Sequence, residues 1–204
     1  MTRSPHLCIV LLAAGRSTRM GGADKLLRPI GGKSLLEDRV ETALSTGFDL
    51  HLTLPPKDQG PARWEIAKGY PLRTVDCDAT PPGMGESLAA VFSSLDSAYD
   101  GALVMLADMP DLSSADLLTV ADAFDPEKVT RGASAAGQPG HPVLIPQRLF
   151  AQMAQLSGDR GAQVLLKQEE VTLIPLPGQH ALTDLDTPAD WSAYTARLPH
   201  QTDS

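Results

Sequence analysis

Apolar runs and amphipathic stretches alternate along the chain up to residue 125. Residues 7–14 and residues 102–107 are continuous apolar runs, which are typical of parallel strands covered on both faces. Shorter strands are predicted at residues 50–54 and 72–75. This alternation predicts a largely parallel sheet with helices packed on its faces.

Helical periodicity and end signals place helices between these strands. Ser34 and Glu37 have the spacing of a capping box, Ser113 and Asp116 are predicted to cap a later helix, and Gly47 is a typical helix end. Thr187-Pro188 before an acidic residue is a strong start signal for the last helix. Helices are predicted at residues 34–47, 62–69, 86–95, 113–124, 147–155 and 160–168, and from residue 187.

The strict alternation fails after residue 125. Residues 129–140 are rich in Gly, Ala and Ser, and only a short strand at 143–145 is predicted nearby, followed by one at 171–174. No internal repeat or linker divides the chain. We therefore predict one domain over residues 1–198 and a disordered tail at 199–204.

The composition is that of an acidic globular protein. The 204 residues carry a formal net charge of −8, and the sequence pI is near 5.0. Non-specific nucleic-acid binding needs a basic face, and a membrane span needs roughly 18 consecutive apolar residues. Neither is present, so neither a nucleic acid nor a membrane is expected as a partner.

Cysteine usage bears on the compartment. Cys8 and Cys77 form no metal-ligand cluster, and Cys8 falls in the first predicted strand, which suits a buried thiol in a reducing cytosol. Arg3 followed by the apolar run resembles a short secretory signal. Cleavage there would remove the strand that presents the following loop, so a cytoplasmic location is expected.

The segment after the first strand gathers glycines and cations. It contains Gly15, Gly21 and Gly22, and Arg16, Arg19 and Lys25. Glycines let backbone N–H groups approach an anion, and the cations neutralise several negative charges at once. In an acidic chain this pattern predicts a polyphosphate site. The Walker A order and the Gly-x-Gly-x-x-Gly dinucleotide pattern are both absent.

Carboxylates follow two later elements. Asp108 stands at the carboxyl end of the second apolar run, the edge where open α/β sheets bind ligands. Asp184 and Asp186 precede the last helix and would face the same way in an extended segment. Magnesium prefers one or two carboxylates plus phosphate oxygens. Asp108 with either of the other two is thus a candidate metal site, although Asp108 as a mere cap of the turn at Pro110 stays open.

Residues 12–21 read Leu-Ala-Ala-Gly-Arg-Ser-Thr-Arg-Met-Gly and are followed by Lys25. This segment resembles the opening of nucleotidyltransferases related to the molybdopterin nucleotidyltransferases. Four further segments match in family order: Gly-Met-Gly-Glu-Ser-Leu at 83–88, Gly-His-Pro-Val at 140–143, Leu-Ser-Gly-Asp-Arg-Gly-Ala at 156–162 and Asp-Leu-Asp-Thr-Pro at 184–188.

Two positions depart from the family pattern. Three residues separate Gly21 from Lys25, where many members have two, and Glu86 stands where many members have Ser. The resemblance otherwise covers nearly the whole chain, from Leu11 to Trp191. It implies a three-layer α/β/α sandwich with a Rossmann-like, mostly parallel sheet, similar to the nucleotide-diphospho-sugar transferases.

The best-matched branch is the molybdenum cofactor cytidylyltransferases, because Ala14 stands where guanylyl relatives usually have Gly. The resemblance implies transfer of CMP from CTP to molybdopterin with release of pyrophosphate. It also implies Mg²⁺ as cofactor, for which Mn²⁺ can substitute. An apo-molybdoenzyme or its chaperone is the further partner it suggests.

Residue roles carry over through the matched segments. The expected catalytic residues are Arg19, Lys25 and Asp108. The expected metal ligands are Asp108 and, in preference to Asp184, Asp186. The expected acceptor-binding residues are His141, Asp159 and Arg160. The expected nucleotide-binding residues are Leu12, Ala13, Ala14, Gly15, Ser17, Arg19, Lys25, Gly83, Gly85 and Ser87.

Two other functions stay open from the sequence. One is a transferase that uses GTP, or that acts on another phosphorylated acceptor such as a sugar or polyol phosphate. The other is a carrier that hands the finished molybdenum cofactor to an apo-enzyme without chemistry. Nucleotide preference separates the first from a cytidylyltransferase, and release of pyrophosphate excludes the second.

Overall fold

A computed structural model describes residues 3–15, 23–77, 83–158 and 161–197. Its strands are β1 (Leu7–Leu12), β2 (Pro29–Ile30), β3 (Lys33–Ser34), β4 (Asp49–Leu54), β5 (Arg73–Asp76), β6 (Gly101–Leu106), β7 (Val129–Ala133), β8 (Pro139–Pro146) and β9 (Val171–Pro175). Its helices are α1 (Leu35–Leu44), α2 (Pro61–Ala67), α3 (Met84–Ser94), α4 (Ser114–Asp122), α5 (Phe150–Met153), α6 (Gly161–Leu166) and α7 (Pro188–Thr195).

Seven strands form one sheet in the order β5-β4-β1-β6-β8-β7-β9. Strands β5, β4, β1 and β6 are parallel neighbours. Strand β8 is antiparallel to both β6 and β7, and β9 is parallel to β7. Within this sheet β8 alone runs against the others, so the mostly parallel sheet predicted from the sequence is confirmed.

Successive residues of β1 point into two separate apolar cores. Leu7, Ile9 and Leu11 belong to the core on the side of α1, α2, α4 and α7. Cys8 and Val10 belong to the core on the side of α3 and α5. Helices therefore cover both faces of the sheet, as in the expected three-layer sandwich. Burial raises the pKa of the Cys8 thiol to about 12, so this cysteine is an inert part of the core.

Local end signals in the sequence are confirmed at three helices. Capping boxes join Ser34 to Glu37, Ser113 to Asp116 and Thr187 to Asp190. In each box a hydroxyl accepts from the N3 backbone N–H while the N3 carboxylate accepts from the cap residue. In the part of the chain that the structure describes, no helix is both long and apolar enough to cross a membrane.

The prediction for residues 129–145 was wrong in extent. The glycine-rich stretch contains strand β7, and β8 begins four residues before the expected start at 143 and ends at Pro146. A Cβ on Gly132 would lie 2.6 Å from the carbonyl oxygen of His141. Small residues therefore allow these two strands to approach closely, but they lower the strand propensity that the sequence displays.

Three smaller differences concern element ends. The first strand stops at Leu12 rather than continuing to residue 14. The short pair β2–β3, turning at Gly31 and Gly32, was not predicted. The expected helix at 147–155 is a 3₁₀ turn, Gln147–Leu149, followed by the short α5. None of these alters the order of the layers.

Gly140 opens the Gly-His-Pro-Val segment, and the backbone explains why a glycine stands there. A Cβ at this position would lie 1.9 Å from the carbonyl oxygen of Ala181. Since backbone must move, we expect Gly140→Ala to lower the free energy of unfolding by about 3 kcal/mol. Denaturant titration measures this. Gly69→Ala is the control, because a Cβ there meets its nearest atom at 3.4 Å; equal losses in both variants would contradict the explanation.

Candidate active site

The carboxyl ends of β1 and β6 bring two predicted site segments side by side. Leu12 pairs with Leu106 in the parallel register, and the N–H of Ala107 donates to the carbonyl of Leu12 at 3.1 Å. The residues that follow these strands are Ala13 on one side and Asp108 on the other. The structure thus places the start of the glycine-rich loop next to the acidic turn.

Hydrogen bonds to the backbone carbonyls of Asp108 and of the next residue, Met109, hold the acidic turn in place. The N–H of Leu185, a buried residue, donates to the carbonyl of Asp108 at 3.0 Å. On the other side, Arg39 of α1 donates to the carbonyl of Met109 at 3.0 Å. Because Leu185 is fixed in this way, the next residue, Asp186, is placed beside Asp108.

Lys25 joins the two carboxylates. Its Nζ donates to Asp108 Oδ2 at 2.6 Å and to Asp186 Oδ1 at 2.5 Å. The lysine lies in a 3₁₀ turn, Lys25–Leu27, which is capped by Asp24. Its side chain is 12% exposed, compared with 19% for Asp108 and 33% for Asp186. The predicted catalytic lysine and both preferred metal ligands therefore meet at one point.

The pKa values show how strongly these charges interact. Burial disfavours the charged ammonium of Lys25, but the charges and hydrogen bonds of Asp108 and Asp186 outweigh it and raise its pKa. Burial raises the pKa of Asp184, and the negative charges of Asp186 and Asp108 raise it further. Lys25 is thus fixed as a cation, and the charged form of Asp184 is disfavoured.

The donor set suits a hard divalent cation. Asp108 Oδ1 is buried and accepts no hydrogen bond from the residues that the structure describes. Within those residues no group of three His, Cys, Asp or Glu side chains forms a complete metal site. Two carboxylates with a spare buried oxygen match the preference of Mg²⁺ for few protein ligands and several substrate oxygens.

Backbone contacts hold the residue at the start of the glycine-rich loop. The N–H of Ala13 donates to both the carbonyl and the hydroxyl oxygen of Thr53, at 3.2 and 3.1 Å. A Cβ on Gly15 would meet no atom of the described residues within 4 Å. Ser17 and Arg19, two of the predicted site residues, lie outside the residues that the structure describes.

The start of α3 packs against the segment expected to bind the acceptor. A Cβ on Gly85 would lie 2.3 Å from the carbonyl oxygen of Gly158. The N–H of Gly158 donates to Glu86 Oε1 at 2.7 Å. Ser87 donates its hydroxyl to the carbonyl of Gly83 at 3.2 Å. Glu86, which stands at the family's Ser position, therefore connects the first turn of α3 to the loop at Gly158. Asp159 and Arg160 fall in the undescribed part of the chain.

His141 lies at the wall of a cavity of about 410 Å³. The cavity is bordered by Leu12 at the end of β1 and by Arg131 on β7. Its other lining residues are mostly apolar: Met84, Leu88, Val104, Val143, Ile145, Met153, Ala162, Gln163, Leu166, Lys167 and Val171. The structure thus places the end of β1, the start of α3 and His141 around one concave space.

His141 is neutral at physiological pH. Burial, followed by the nearby charge of Arg131, lowers the pKa of His141 to about 4. Its Nδ1 is buried without a hydrogen-bond partner among the described residues. The ring therefore offers a neutral polar group to a ligand rather than a positive charge.

Two arginines of the site were missed by the sequence analysis. Arg63 of α2 contacts both flanks of the glycine-rich loop. Arg131 donates from Nε to the carbonyl of Gly140 at 2.6 Å and borders the cavity. Neither lies in a local motif, so no sequence signal identifies them. Asp24 was detectable, because Asp before a short apolar turn is a typical cap residue.

The fold and the site define a class of protein. The solved structures that this chain resembles include nucleotidyltransferases of the nucleotide-diphospho-sugar transferase fold. Residues 9–173 match the model of the MobA-like NTP transferase domain. The chain belongs to this family and is an NTP transferase of the MobA-like type, related to the molybdenum cofactor nucleotidyltransferases.

Relatives match over most of their length. The chain is 30% identical to purine catabolism protein PucB of Bacillus subtilis, covering 93% of this chain and 96% of PucB. It is 33% identical to nicotine blue oxidoreductase of Paenarthrobacter nicotinovorans, covering 91% and 95%. A probable molybdenum cofactor guanylyltransferase of Rhodopirellula baltica is 33% identical over 59% of this chain and 56% of that protein.

The chain also resembles solved structures over nearly its whole length. Rv0371c of Mycobacterium tuberculosis H37Rv is 26% identical and superposes with a TM-score of 0.80, covering 95% of this chain and 98% of that one. A second structure of Rv0371c, a complex with manganese, has a TM-score of 0.77 at 26% identity, with coverage of 95% and 100%.

The lowered pKa of His141 predicts that the folded protein loses stability in acid. The unfolded chain protonates this histidine near the ordinary value of 6.5, and the folded protein only near 4. Between these values the unfolded state binds the extra proton, so stability is full above pH 6.5 and falls as pH drops towards 4. The loss attributable to His141 is about 3 kcal/mol.

Urea titrations at pH 7 and pH 4 measure this loss. His141→Gln is expected to lose about 3 kcal/mol less stability than the wild type between the two pH values. His6→Gln, which replaces an exposed histidine, is expected to behave like the wild type. An identical loss in wild type and His141→Gln would show that the ring is not held neutral.

Proposed function

We propose that this protein transfers CMP from CTP to molybdopterin and releases pyrophosphate, with Mg²⁺ as cofactor. The observation that carries the proposal is the meeting of Lys25, Asp108 and Asp186 beside the glycine-rich loop. A cation between two carboxylates at the carboxyl edge of a sheet suits the binding of a metal-bound triphosphate.

Asp108 and Asp186 are the proposed metal ligands. Both are hard oxygen donors, and Asp108 has a buried oxygen with no partner among the described residues. Asp186 is preferred to Asp184 because it contacts Lys25 together with Asp108. The manganese complex of the relative Rv0371c supports use of a divalent cation. When bound, Mg²⁺ would offset the negative charge of the triphosphate.

The chain's own groups align the reactants. The attacking group is the terminal phosphate of the pterin, which is already anionic, so no general base is needed. Its oxygen bonds to the α-phosphorus of CTP, and the bond to the leaving pyrophosphate breaks. Lys25, whose raised pKa keeps it charged, and Arg19 would neutralise the developing charge. Gly15 and Ser17 would supply backbone or hydroxyl donors.

The cavity beside His141 is the proposed acceptor site, together with Asp159 and Arg160. Its lining is mostly apolar, with polar groups limited to a few side chains that include His141 and Arg131. Apolar walls suit the two faces of a planar heterocycle, whose polar edge the few polar side chains would meet, whereas hydroxyls on both faces of a sugar or polyol phosphate would each need a polar partner. This contrast favours the pterin over the sugar phosphates as acceptor.

The choice of base rests on Ala14, and the guanylyltransferase relative makes GTP the alternative to test. We expect CTP with Mg²⁺ to raise Tm more than GTP, ATP or UTP. A ligand at one hundred times its Kd stabilises by about 2.7 kcal/mol, or about 5–10 °C for a domain of this size. The measurement is a thermal-shift assay, and a larger shift with GTP would move the protein to the guanylyl branch.

Release of pyrophosphate then tests the chemistry. We expect it only when CTP, Mg²⁺ and molybdopterin are all present. Nucleotide binding without any pyrophosphate release would favour the carrier over the transferase. Release with a phosphorylated sugar or polyol in place of molybdopterin would overturn the assignment of the acceptor.

Lys25→Ala tests the central charge. We expect turnover to fall roughly a hundredfold or more, the size associated with loss of one transition-state donor. Lys68→Ala is a matched control, because Lys68 pairs at the surface with the exposed Glu65, and its turnover should match the wild type. Pyrophosphate release under saturating CTP provides the measurement. Near-normal turnover of Lys25→Ala would remove this residue from the mechanism.

A further inference from the structure

Arg63 contacts the glycine-rich loop at both of its ends. Its Nη1 donates to the carbonyl of Ala13 at 2.5 Å and to that of Gly15 at 2.9 Å. Its Nε and Nη2 donate to the two carboxylate oxygens of Asp24, each at 2.7 Å. One guanidinium group, on a different element of the fold, thus bridges the residue before the undescribed segment 16–22 and a residue just after it.

The ion pair between Arg63 and Asp24 is largely shielded from solvent, so water cannot fully replace the hydrogen bonds that a substitution would remove. The side chain of Arg63 is 4% exposed and that of Asp24 25%. The fork of Arg matches a carboxylate with two parallel hydrogen bonds and leaves a further nitrogen for the carbonyls. A lysine at this position would retain the positive charge, but its single nitrogen cannot donate to Asp24 and to both carbonyls in the geometry of the guanidinium group.

The bridge reaches Lys25 through Asp24. Besides binding Arg63, Asp24 Oδ1 accepts from the N–H of Leu26 at 3.0 Å and so caps the turn that carries Lys25. Lys25 in turn donates to Asp108 and Asp186. A continuous series of contacts therefore runs from α2 to the charged centre of the site.

We propose that Arg63 is a positioning residue of the NTP site: with Asp24 it holds the two ends of the phosphate loop at a fixed separation and sets the direction of Lys25. This role of Arg63 rests on the proposed function, because it requires that the loop bind the triphosphate of the nucleotide. Fixing the two ends of the loop before binding lowers the entropic cost of ordering that nucleotide binding must otherwise overcome. Arg63 itself contacts backbone and Asp24, so it acts on the nucleotide through these groups.

Variants separate this role from simple stabilisation of the fold. Arg63→Ala removes every contact and is expected to lower both Tm and the affinity for CTP. Arg63→Lys retains a charge for Asp24, so most of the Tm should return. The affinity should not return, because lysine cannot bridge both ends of the loop. We expect the Kd for CTP with Mg²⁺ to stay raised about tenfold or more in this variant.

Two controls sharpen the comparison. Arg73→Lys makes the same substitution at an exposed position on the edge strand β5, and its Kd should equal that of the wild type. Asp24→Asn retains an oxygen for the N–H of Leu26 but loses the charge that faces Arg63. It should raise the Kd in the same direction, and combining it with Arg63→Lys should add less than the sum of the two effects.

The measurements are Kd by calorimetric titration with CTP and Mg²⁺, KM and kcat from pyrophosphate release, and Tm. A raised Kd and KM in folded Arg63→Lys supports the proposal. An unchanged Kd in that variant, with only Tm altered in Arg63→Ala, overturns it and leaves the proposed function intact. A wild type that binds none of the four nucleotides overturns the proposed function and the nucleotide role of Arg63 with it.

Discussion

The ammonium group of Lys25 lies between two carboxylates that the fold brings together, and it offsets part of their negative charge. Asp108 and Asp186 are far apart in the sequence, yet each accepts a hydrogen bond from the same nitrogen within 2.6 Å. Without that cation, two negative charges would share a largely buried space at high energetic cost. Lys25 thus makes the acidic site compatible with a folded protein, and the same three groups are those that a metal-bound triphosphate would meet. The folded structure and the proposed chemistry thus depend on the same balance of charge among Lys25, Asp108 and Asp186.

Backbone hydrogen bonds supply the geometry on which this balance relies. Ala107 is joined to Leu12, and Leu185 to Asp108, through main-chain N–H and C=O groups. Side-chain substitutions cannot easily disturb such contacts, since they belong to the sheet and to its continuation. The variable part of the site is therefore its side chains, and their positions are set by strand register and by the cap of α7.

Features that depend on neighbouring residues could be predicted from the sequence, and features that depend on distant ones could not. The capping boxes at Ser34, Ser113 and Thr187 are written within four residues and were found. The carboxyl-edge position of Asp108 follows from one apolar strand, and its preferred partner Asp186 followed from family resemblance. Strand β7 was missed because Gly132 serves a close approach to His141, which lowers the local strand signal. Arg63 was missed because all its partners lie about 40 or more residues away.

The reversed strand β8 has a consequence for how this site can change over time. It stands between the parallel strands that carry the phosphate loop and Asp108 and the outer pair β7 and β9. Arg131 and His141 belong to the hairpin of β7 and β8. Lys25 and Asp108, by contrast, lie in segments that follow the parallel strands β1 and β6. Substitutions of the hairpin side chains that line the cavity can reshape the space for a second reactant without replacing any residue of the charged centre. The fold thus separates a constant half from an adaptable one, an arrangement by which one catalytic centre can be paired with new acceptors.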